Sequence, residues 1–93
     1  MSSSKINWAR PLTEHEAAFK DLLVASLPPV IARHDVDRFT GGWLSPKTLR
    51  NDDSKLVGPR SHYKSGKKIL YKTADLVEYG IRRFGVIEKE VLL

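Results

Sequence analysis

The sequence predicts one mainly α-helical domain with a small β-hairpin, and three local patterns lead to this fold class. Apolar residues recur at helical spacing over 14–26 and 74–84. The pair Ser45-Pro46 carries the signals that open a third helix. Turn residues around Gly66 separate two short strand-like runs. A chain of 93 residues is long enough for one compact domain and too short for two ordinary ones.

Signals at the helix ends set the expected elements. Thr13 and Glu16 form a capping box, in which each side chain bonds the other residue's backbone amide. Thr73 is expected to cap the last helix in a similar position. The expected elements are, in chain order, helix 14–26, a short edge strand at 30–31, helix 32–39, helix 46–53, strands 61–64 and 68–71 around a Ser65-Gly66-Lys67 turn, and helix 74–84.

This order places a tight helix-turn-helix before a basic hairpin, which is a winged helix-turn-helix arrangement with an extra N-terminal helix. The domain is expected to span residues 13–85, with the extra helix at 13–27. Residues 1–12 are expected to form a flexible leader in which Trp8 can anchor onto the core. The tail, 86–93, is apolar with three charged residues and is compatible with a strand, a helical turn or a packing arm.

Positive charge is concentrated in one part of the chain. The net charge is +5, and residues 45–72 hold eight basic and two acidic side chains. The remaining residues hold eight basic and nine acidic side chains, so the whole excess lies in that block. Such clustering is the electrostatic pattern expected of a protein that binds a polyanion.

The helix after Ser45 carries residue types that contact base edges. The second helix of a helix-turn-helix enters the major groove of duplex DNA and uses its N-terminal half. Leu49 is expected to face the core. The residues expected on the outer face are Lys47, Thr48, Arg50 and Asn51. Arginine pairs with guanine and asparagine with adenine, so these side chains suit sequence-specific recognition.

The hairpin is expected to act as a wing that lies along the DNA backbone or in the minor groove. Lys64, Lys67 and Lys68 cluster near its tip, and lysine suits phosphate contact as a flexible point charge. Arg60 and His62 precede this cluster and are included in the expected wing contacts. Two alternatives stay open, because the lysines can be a solvated tip and His62 can be merely exposed.

The acidic pair Asp52-Asp53 conflicts with this assignment, because carboxylates near phosphate would repel it. We expect the two side chains to point away from DNA or to pair with Lys55 or Arg60. Another alternative is a surface ion pair between Asp53 and Arg50, which are three residues apart on the helix.

Residues 27–84 resemble the excisionase and AlpA-type regulators of the MerR-like winged-helix superfamily. The resemblance lies in LPPVIARHDVDRFTGGWLSPKTLRN, the following GP, and YKSGKKILYKTADLVEYGIRR. It implies a small DNA-binding protein of a phage, prophage or mobile element that assists recombination or regulates transcription. Some terminase small subunits share the module, which implies DNA packaging as an alternative. The resemblance assigns to the major groove Ser45, Lys47, Thr48, Arg50 and Asn51, and to the wing Lys64, Lys67 and Lys68.

This chain departs from those regulators in two places. Asp52 and Asp53 stand where the relatives often have an apolar residue, and the helix over 14–26 lies outside the resemblance. We expect that helix to serve dimerisation or core packing. The alternative from another functional class is a protein-interaction adaptor that docks through this helix and the tail, with the basic wing on an acidic partner.

Several classes of function are not expected from the composition. The chain has no cysteine, and its three histidines lack ligand spacing, so no metal or other cofactor is expected. No nucleophile lies beside a base and no glycine-rich phosphate loop is present, so we expect no enzyme. No apolar run is long enough for a membrane helix, and we expect a cytoplasmic, nucleoid-associated protein. The expected partners are double-stranded DNA, a second copy of the chain, and an integrase or polymerase.

Overall fold

The computed structural model describes residues 6–89, which form four helices and a three-stranded antiparallel sheet. Residues 1–5 of the expected leader and 90–93 of the expected tail lie outside the described residues. The elements are α1 (Glu14–Ser26), β1 (Val30–Ala32), a 3-10 turn (Arg33–Asp35), α2 (Val36–Phe39), α3 (Pro46–Ser54), β2 (Tyr63–Ser65), β3 (Lys68–Lys72) and α4 (Thr73–Phe84). The fold is therefore a mixed helix and sheet structure rather than helices with an isolated hairpin.

The hairpin strand β3 lies in the middle of the sheet, between β1 and β2. Ile31 pairs with Tyr71, and Ser65 pairs with Lys68 beside the turn. The expected edge strand is confirmed and gains one residue. The expected bounds of the hairpin were wrong, because its turn consists of Gly66 and Lys67 alone. Gly66 has a φ of +62°, and glycine at the first of two turn residues is typical of a type II′ turn.

The core lies between the sheet, α3 and α4. Its fully buried side chains include Ile31, Leu49, Tyr71, Leu76 and Tyr79. The burial of Leu49 confirms the expected orientation of α3. Gly80 of α4 is buried as well, and a Cβ atom there would lie 2.5 Å from the Trp43 ring. Only glycine lets Trp43 approach the helix this closely, so the turn before α3 packs directly on α4.

The N-terminal helix α1 packs on the outside of this core. Its capping box is confirmed, since Thr13 accepts from the Glu16 amide and Glu16 accepts from the Thr13 amide. That backbone hydrogen bond is the main cause of a lowered pKa for Glu16. The expected helix over 14–26 is confirmed, but α1 has no fully buried residue and Leu22 is 62% exposed. Phe19 makes the main apolar contact, edge-on to Trp43 at 5.4 Å between ring centres.

A hydrogen-bonded ion pair also connects α1 to α4. Lys20 Nζ lies 2.7 Å from Glu78 Oε1, and Arg82 lies 2.7 Å from the other carboxylate oxygen of Glu78. Burial alone would raise the pKa of Glu78, but the bonds from the two cations outweigh it and the pKa is lowered. Stability from this pair is therefore present above the ordinary carboxyl pKa and is lost as the pH falls through the lowered value.

Helix α3 ends at Ser54, one residue later than expected, in a Schellman motif. The Val57 amide donates to the Asp52 carbonyl, and the Leu56 amide donates to the Asp53 carbonyl. The motif requires a positive φ at the residue after the cap, and Leu56 has a φ of +63°. Glycine normally fills this position, so the sequence carried no signal for it.

Helix α4 begins one residue earlier than expected, and the capping role of Thr73 was wrong. Thr73 is buried inside the first turn, and its hydroxyl donates to the Pro28 carbonyl oxygen instead of accepting from an amide of α4. Its own amide donates to the Pro29 carbonyl at 2.9 Å. Thr73 therefore fastens the β3–α4 junction to the proline pair that ends α1. Helix α4 ends at Phe84, as expected, and the residue after it, Gly85, caps the helix with a φ of +81°.

Replacing Leu49 with alanine should lower the free energy of unfolding by about 2–4 kcal/mol, because it leaves a cavity under α3. The matched control is Leu56→Ala, since Leu56 belongs to the same segment but is 82% exposed. We expect the control to change stability by less than about 0.5 kcal/mol. Urea unfolding followed by circular dichroism measures both. Equal stability of the two variants would contradict the packing of α3 described above.

Candidate nucleic-acid interface

The outer face of α3 is formed by Lys47, Arg50 and Asn51, which are all exposed. Among residues 6–89, Arg50 has no carboxylate within ion-pair distance, so the alternative of a pair with Asp53 was wrong. The other two side chains assigned to this face, Ser45 and Thr48, are half-buried and occupied by capping. Ser45 accepts from the Thr48 amide at 3.2 Å and donates to the Thr48 hydroxyl at 2.9 Å. Ser45 and Thr48 therefore fix the start of α3. Of the five side chains assigned to this face, only Lys47, Arg50 and Asn51 are exposed and available to contact a ligand.

A groove of about 250 Å³ brings α3 and the hairpin together, and we call it the basic groove. Its lining residues come from three separate segments and are Arg33, His34, Pro46, Arg50, Lys67, Lys68 and Ile69. The register adds Lys64 to this side of the hairpin, because Lys64 pairs with Ile69 and opposite residues share a sheet face. Five of these eight side chains are lysine or arginine, and the groove is open at the surface.

The structure does not bring Arg60 and His62 into the basic groove. Both precede β2, in the loop after α3, and they line a second hollow with Asp53 and Leu56. The Arg60 guanidinium lies over the Trp8 ring, 4.6 Å from its centre. Trp8, which was expected to anchor the leader, packs against the core and has Arg82 at 5.6 Å from its ring centre.

Two groove residues, Arg33 and His34, were missed from the sequence. They follow β1 directly, and β1 reaches the groove only because it pairs with β3. The apolar pair Val30-Ile31 indicated a strand, but no pattern in the sequence indicated its partner. Pairing that strand with the hairpin would have placed Arg33 beside the basic tip.

The carboxylate of Asp53, which lines the second hollow, holds Arg33. Asp53 Oδ2 accepts from Arg33 Nη2 at 2.6 Å and from the Tyr71 hydroxyl at 2.6 Å, while Arg33 Nε donates to the Tyr71 hydroxyl oxygen at 2.9 Å. Burial and the bond to Asp53 raise the pKa of Tyr71 far above its ordinary value near 10, so its hydroxyl stays a donor. The expected pairing of Asp53 with Lys55 or Arg60 was wrong.

The neighbouring carboxylate of Asp52 forms a second such cluster, with residues of α4. Asp52 Oδ2 accepts from the buried Tyr79 hydroxyl at 2.6 Å and from Arg83 Nε at 3.0 Å. Burial, followed by the bond to Asp52, raises the pKa of Tyr79 strongly. Asp52 is almost fully buried and faces α4, so neither acid of the pair lies on the outer face of α3.

These contacts decide the electrostatic character of the groove. Both carboxylates of α3 are compensated by an arginine and a tyrosine from other elements. The side chains of Lys47, Arg50, Lys67 and Lys68 are exposed, and no acidic residue lines the groove with them. The surface that combines α3 and the hairpin tip is therefore positive at neutral pH.

An apolar groove lies on another part of the surface, between α1 and the residues after α4. It is lined by Ala18, Phe19, Leu22, Val86 and Ile87, with His15 and Glu88 at its rim. His15 Nε2 is 3.0 Å from the Val86 carbonyl oxygen, which fixes the start of the tail on α1. Within residues 6–89 no helix combines the length and the hydrophobicity that crossing a membrane requires.

Comparison with known protein families, with characterised proteins and with solved structures finds no match for this chain.

Replacing Tyr79 with phenylalanine should lower the free energy of unfolding by about 1.5–3 kcal/mol, because the buried carboxylate of Asp52 loses the hydrogen bond that the Tyr79 hydroxyl donates to it. The companion variant Tyr71→Phe should also lower the free energy of unfolding, since it removes two hydrogen bonds, one to Asp53 and one from Arg33 Nε, beside a carboxylate that is 12% exposed against 4% for Asp52. Thermal unfolding of the two variants beside the unchanged protein provides the comparison. An unaltered melting temperature for Tyr79→Phe would contradict the stabilising role of this cluster.

Proposed function

We propose that the chain is a winged helix-turn-helix protein that binds double-stranded DNA in a sequence-specific manner. In this proposal α2 and α3 form the helix-turn-helix, and β2 and β3 form the wing. The observation that carries the proposal is the basic groove, in which Arg50 of α3 lies beside Lys67 and Lys68 of the hairpin tip. A helix with an exposed polar face next to a basic hairpin matches the shape and charge of adjacent grooves on a DNA duplex.

Helix α3 has the dimensions and chemistry of a recognition helix. Its nine residues span roughly 13 Å at 1.5 Å per residue, which fits the major groove. Arg50 and Asn51 are free of intramolecular carboxylates among the described residues and can form paired hydrogen bonds to guanine and adenine. Lys47 lies one turn earlier, where a phosphate contact is more natural for a flexible ammonium group.

The hairpin supplies contacts of a different kind. Lys64, Lys67 and Lys68 are exposed and can follow the phosphate backbone. Backbone contacts orient a protein on the duplex without distinguishing its sequence. In this proposal α3 discriminates between bases, and the hairpin contributes most of the salt-dependent affinity.

The narrower biological role rests on the sequence resemblance over residues 27–84. It supports a regulator of a phage, prophage or mobile element that assists recombination or controls transcription, with an integrase or polymerase as partner. It also supports a packaging role like that of terminase small subunits. These roles can be separated by selecting the duplex sequence that the protein binds most tightly and locating it in the genome. A location next to an attachment site indicates recombination, next to a promoter transcription, and next to a packaging site DNA packaging.

Arg50→Ala should weaken binding to a selected duplex site far more than binding to random duplex DNA, because a paired contact to guanine contributes about 1–3 kcal/mol of discrimination. Fluorescence anisotropy with both labelled duplexes measures the two affinities. Arg10→Ala is the control, since Arg10 is exposed and lies at the start of α1. Equal losses on both duplexes would show that Arg50 contacts only phosphate.

Lys67→Ala combined with Lys68→Ala should weaken binding to both duplexes about equally. The slope of log affinity against log salt should flatten by roughly 1–2, since each lost phosphate contact removes about 0.9. The control is Arg10→Ala with Lys89→Ala, which removes the same charge from two exposed positions outside the groove. An unchanged slope in the hairpin variant would remove the wing from the proposal.

The same titration tests the proposal as a whole. Random duplex DNA titrated into the unchanged protein at several salt concentrations should give tight binding that weakens steeply as salt rises. Absence of binding at low salt would overturn DNA recognition. It would favour the adaptor alternative, in which the apolar groove along α1 is the contact surface.

A further inference from the structure

We propose that Arg33 is an additional DNA-contacting residue, whose guanidinium binds a backbone phosphate in an orientation fixed by Asp53 and Tyr71. This inference rests on the proposed function and assigns to the basic groove a contact that the helix-turn-helix and wing arrangement alone does not include. Arg33 belongs to the 3-10 turn after β1, outside both α3 and the hairpin.

The geometry leaves one side of the guanidinium available. Arg33 Nε donates to Tyr71 and Nη2 donates to Asp53, so two of its five N–H groups are used. Among residues 6–89, Nη1 has no hydrogen-bond partner, and the side chain is 20% exposed where it lines the groove. The hydrogen bonds of Nε to Tyr71 and of Nη2 to Asp53 fix the plane of the guanidinium, and the Nη1 group remains available to a ligand.

The ligand that suits this position is a phosphate oxygen. Lys67, Lys68 and Arg50 line the same groove, so an anion there meets four cationic side chains from three segments. Arginine is suited to phosphate because its planar fork presents N–H groups in a fixed direction. The lysines of the hairpin must lose rotational freedom on binding, whereas Arg33 is already held in place. A phosphate next to Arg33 would therefore set the register of the duplex against α3.

A second cluster in the molecule provides an internal comparison. Arg83, Tyr79 and Asp52 repeat the same three residue types, with a hydrogen-bonded tyrosine and arginine on one carboxylate oxygen. That cluster connects α3 to α4 and does not line the basic groove. The two clusters therefore share their chemistry and differ in whether the arginine faces the groove.

The test is a pair of double variants that leave the net charge at +5. Arg33→Met with Asp53→Asn removes the proposed contact together with its carboxylate, and Arg83→Met with Asp52→Asn makes the same change in the other cluster. Each variant is titrated with random duplex DNA at several salt concentrations, and circular dichroism confirms its fold. A purely structural role for Arg33 would alter the melting temperature but leave the salt slope unchanged.

We expect the Arg33 double variant to flatten the salt slope by about 0.9, which corresponds to an affinity about eightfold lower at 0.1 M salt if the two proteins converge at 1 M. The Arg83 double variant also removes a contact that holds α3, but it removes no cation from the basic groove, so its slope should stay steeper than that of the Arg33 double variant. If the Arg33 double variant is folded and shows the unaltered slope and affinity, the inference is overturned. Failure of the unchanged protein to bind DNA would instead overturn the proposed function.

A single variant keeps the inference testable if the double variant does not fold. Arg33→Met alone lowers the net charge by one, and Arg10→Met lowers it equally at an exposed position outside the groove. We expect the salt slope to flatten by about 0.9 in the Arg33 variant and by less in the Arg10 variant. Equal slopes in the two single variants would overturn the inference.

Discussion

Helix α3 is held from two sides by the adjacent carboxylates at its C-terminal end. The side chains of successive helix residues point about 100° apart, so Asp52 and Asp53 contact different elements of the fold. Asp52 accepts hydrogen bonds from Tyr79 and Arg83 of α4, whereas Asp53 accepts them from β3 and the turn after β1. Together the two carboxylates determine how α3 sits on the core. They also determine which of its faces is exposed, and the candidate interface depends on this orientation.

The energetic basis of this arrangement is the high cost of burying a charge without partners. A carboxylate in the interior is tolerated only when charged and hydrogen-bonded partners offset its lost hydration. Here each carboxylate has one tyrosine hydroxyl and one arginine, and no buried side-chain polar atom of the described residues lacks a partner. The same pairing removes the acidic pair from the outer surface. The acidic pair Asp52-Asp53 conflicted with DNA binding in the sequence, but in the structure its charges are compensated away from the groove, which stays positive.

Local signals predicted most of the helical structure, because they act within a few residues. The capping box at Thr13 and the Ser45-Pro46 start of α3 are such signals, and the structure confirms both. Long-range contacts were not predictable in this way. The partners of Asp52 and Asp53 lie between 18 and 31 positions away in the chain. The capping of α4 by Thr73 failed for the same reason, since its hydroxyl is used by Pro28.

The candidate interface was likewise predictable only in part. Arg50, Lys67 and Lys68 stood out because charge and turn chemistry are visible in the sequence, and the structure places them on one groove. Arg33 joins them because β1 pairs with β3, and Arg60 leaves them because it stacks on Trp8. Both outcomes depend on contacts between distant segments, which residue spacing does not encode.

The most direct test of the account is a titration of the ¹⁵N-labelled protein with duplex DNA, followed by two-dimensional NMR. The account predicts shifts confined to the amides of residues 47–51 and 64–69 and to the side-chain Nε–H of Arg33, with α1 unaffected. Shifts centred on α1 and residues 86–88, with α3 and the hairpin unchanged, would contradict the assignment of the basic groove as the DNA-binding surface.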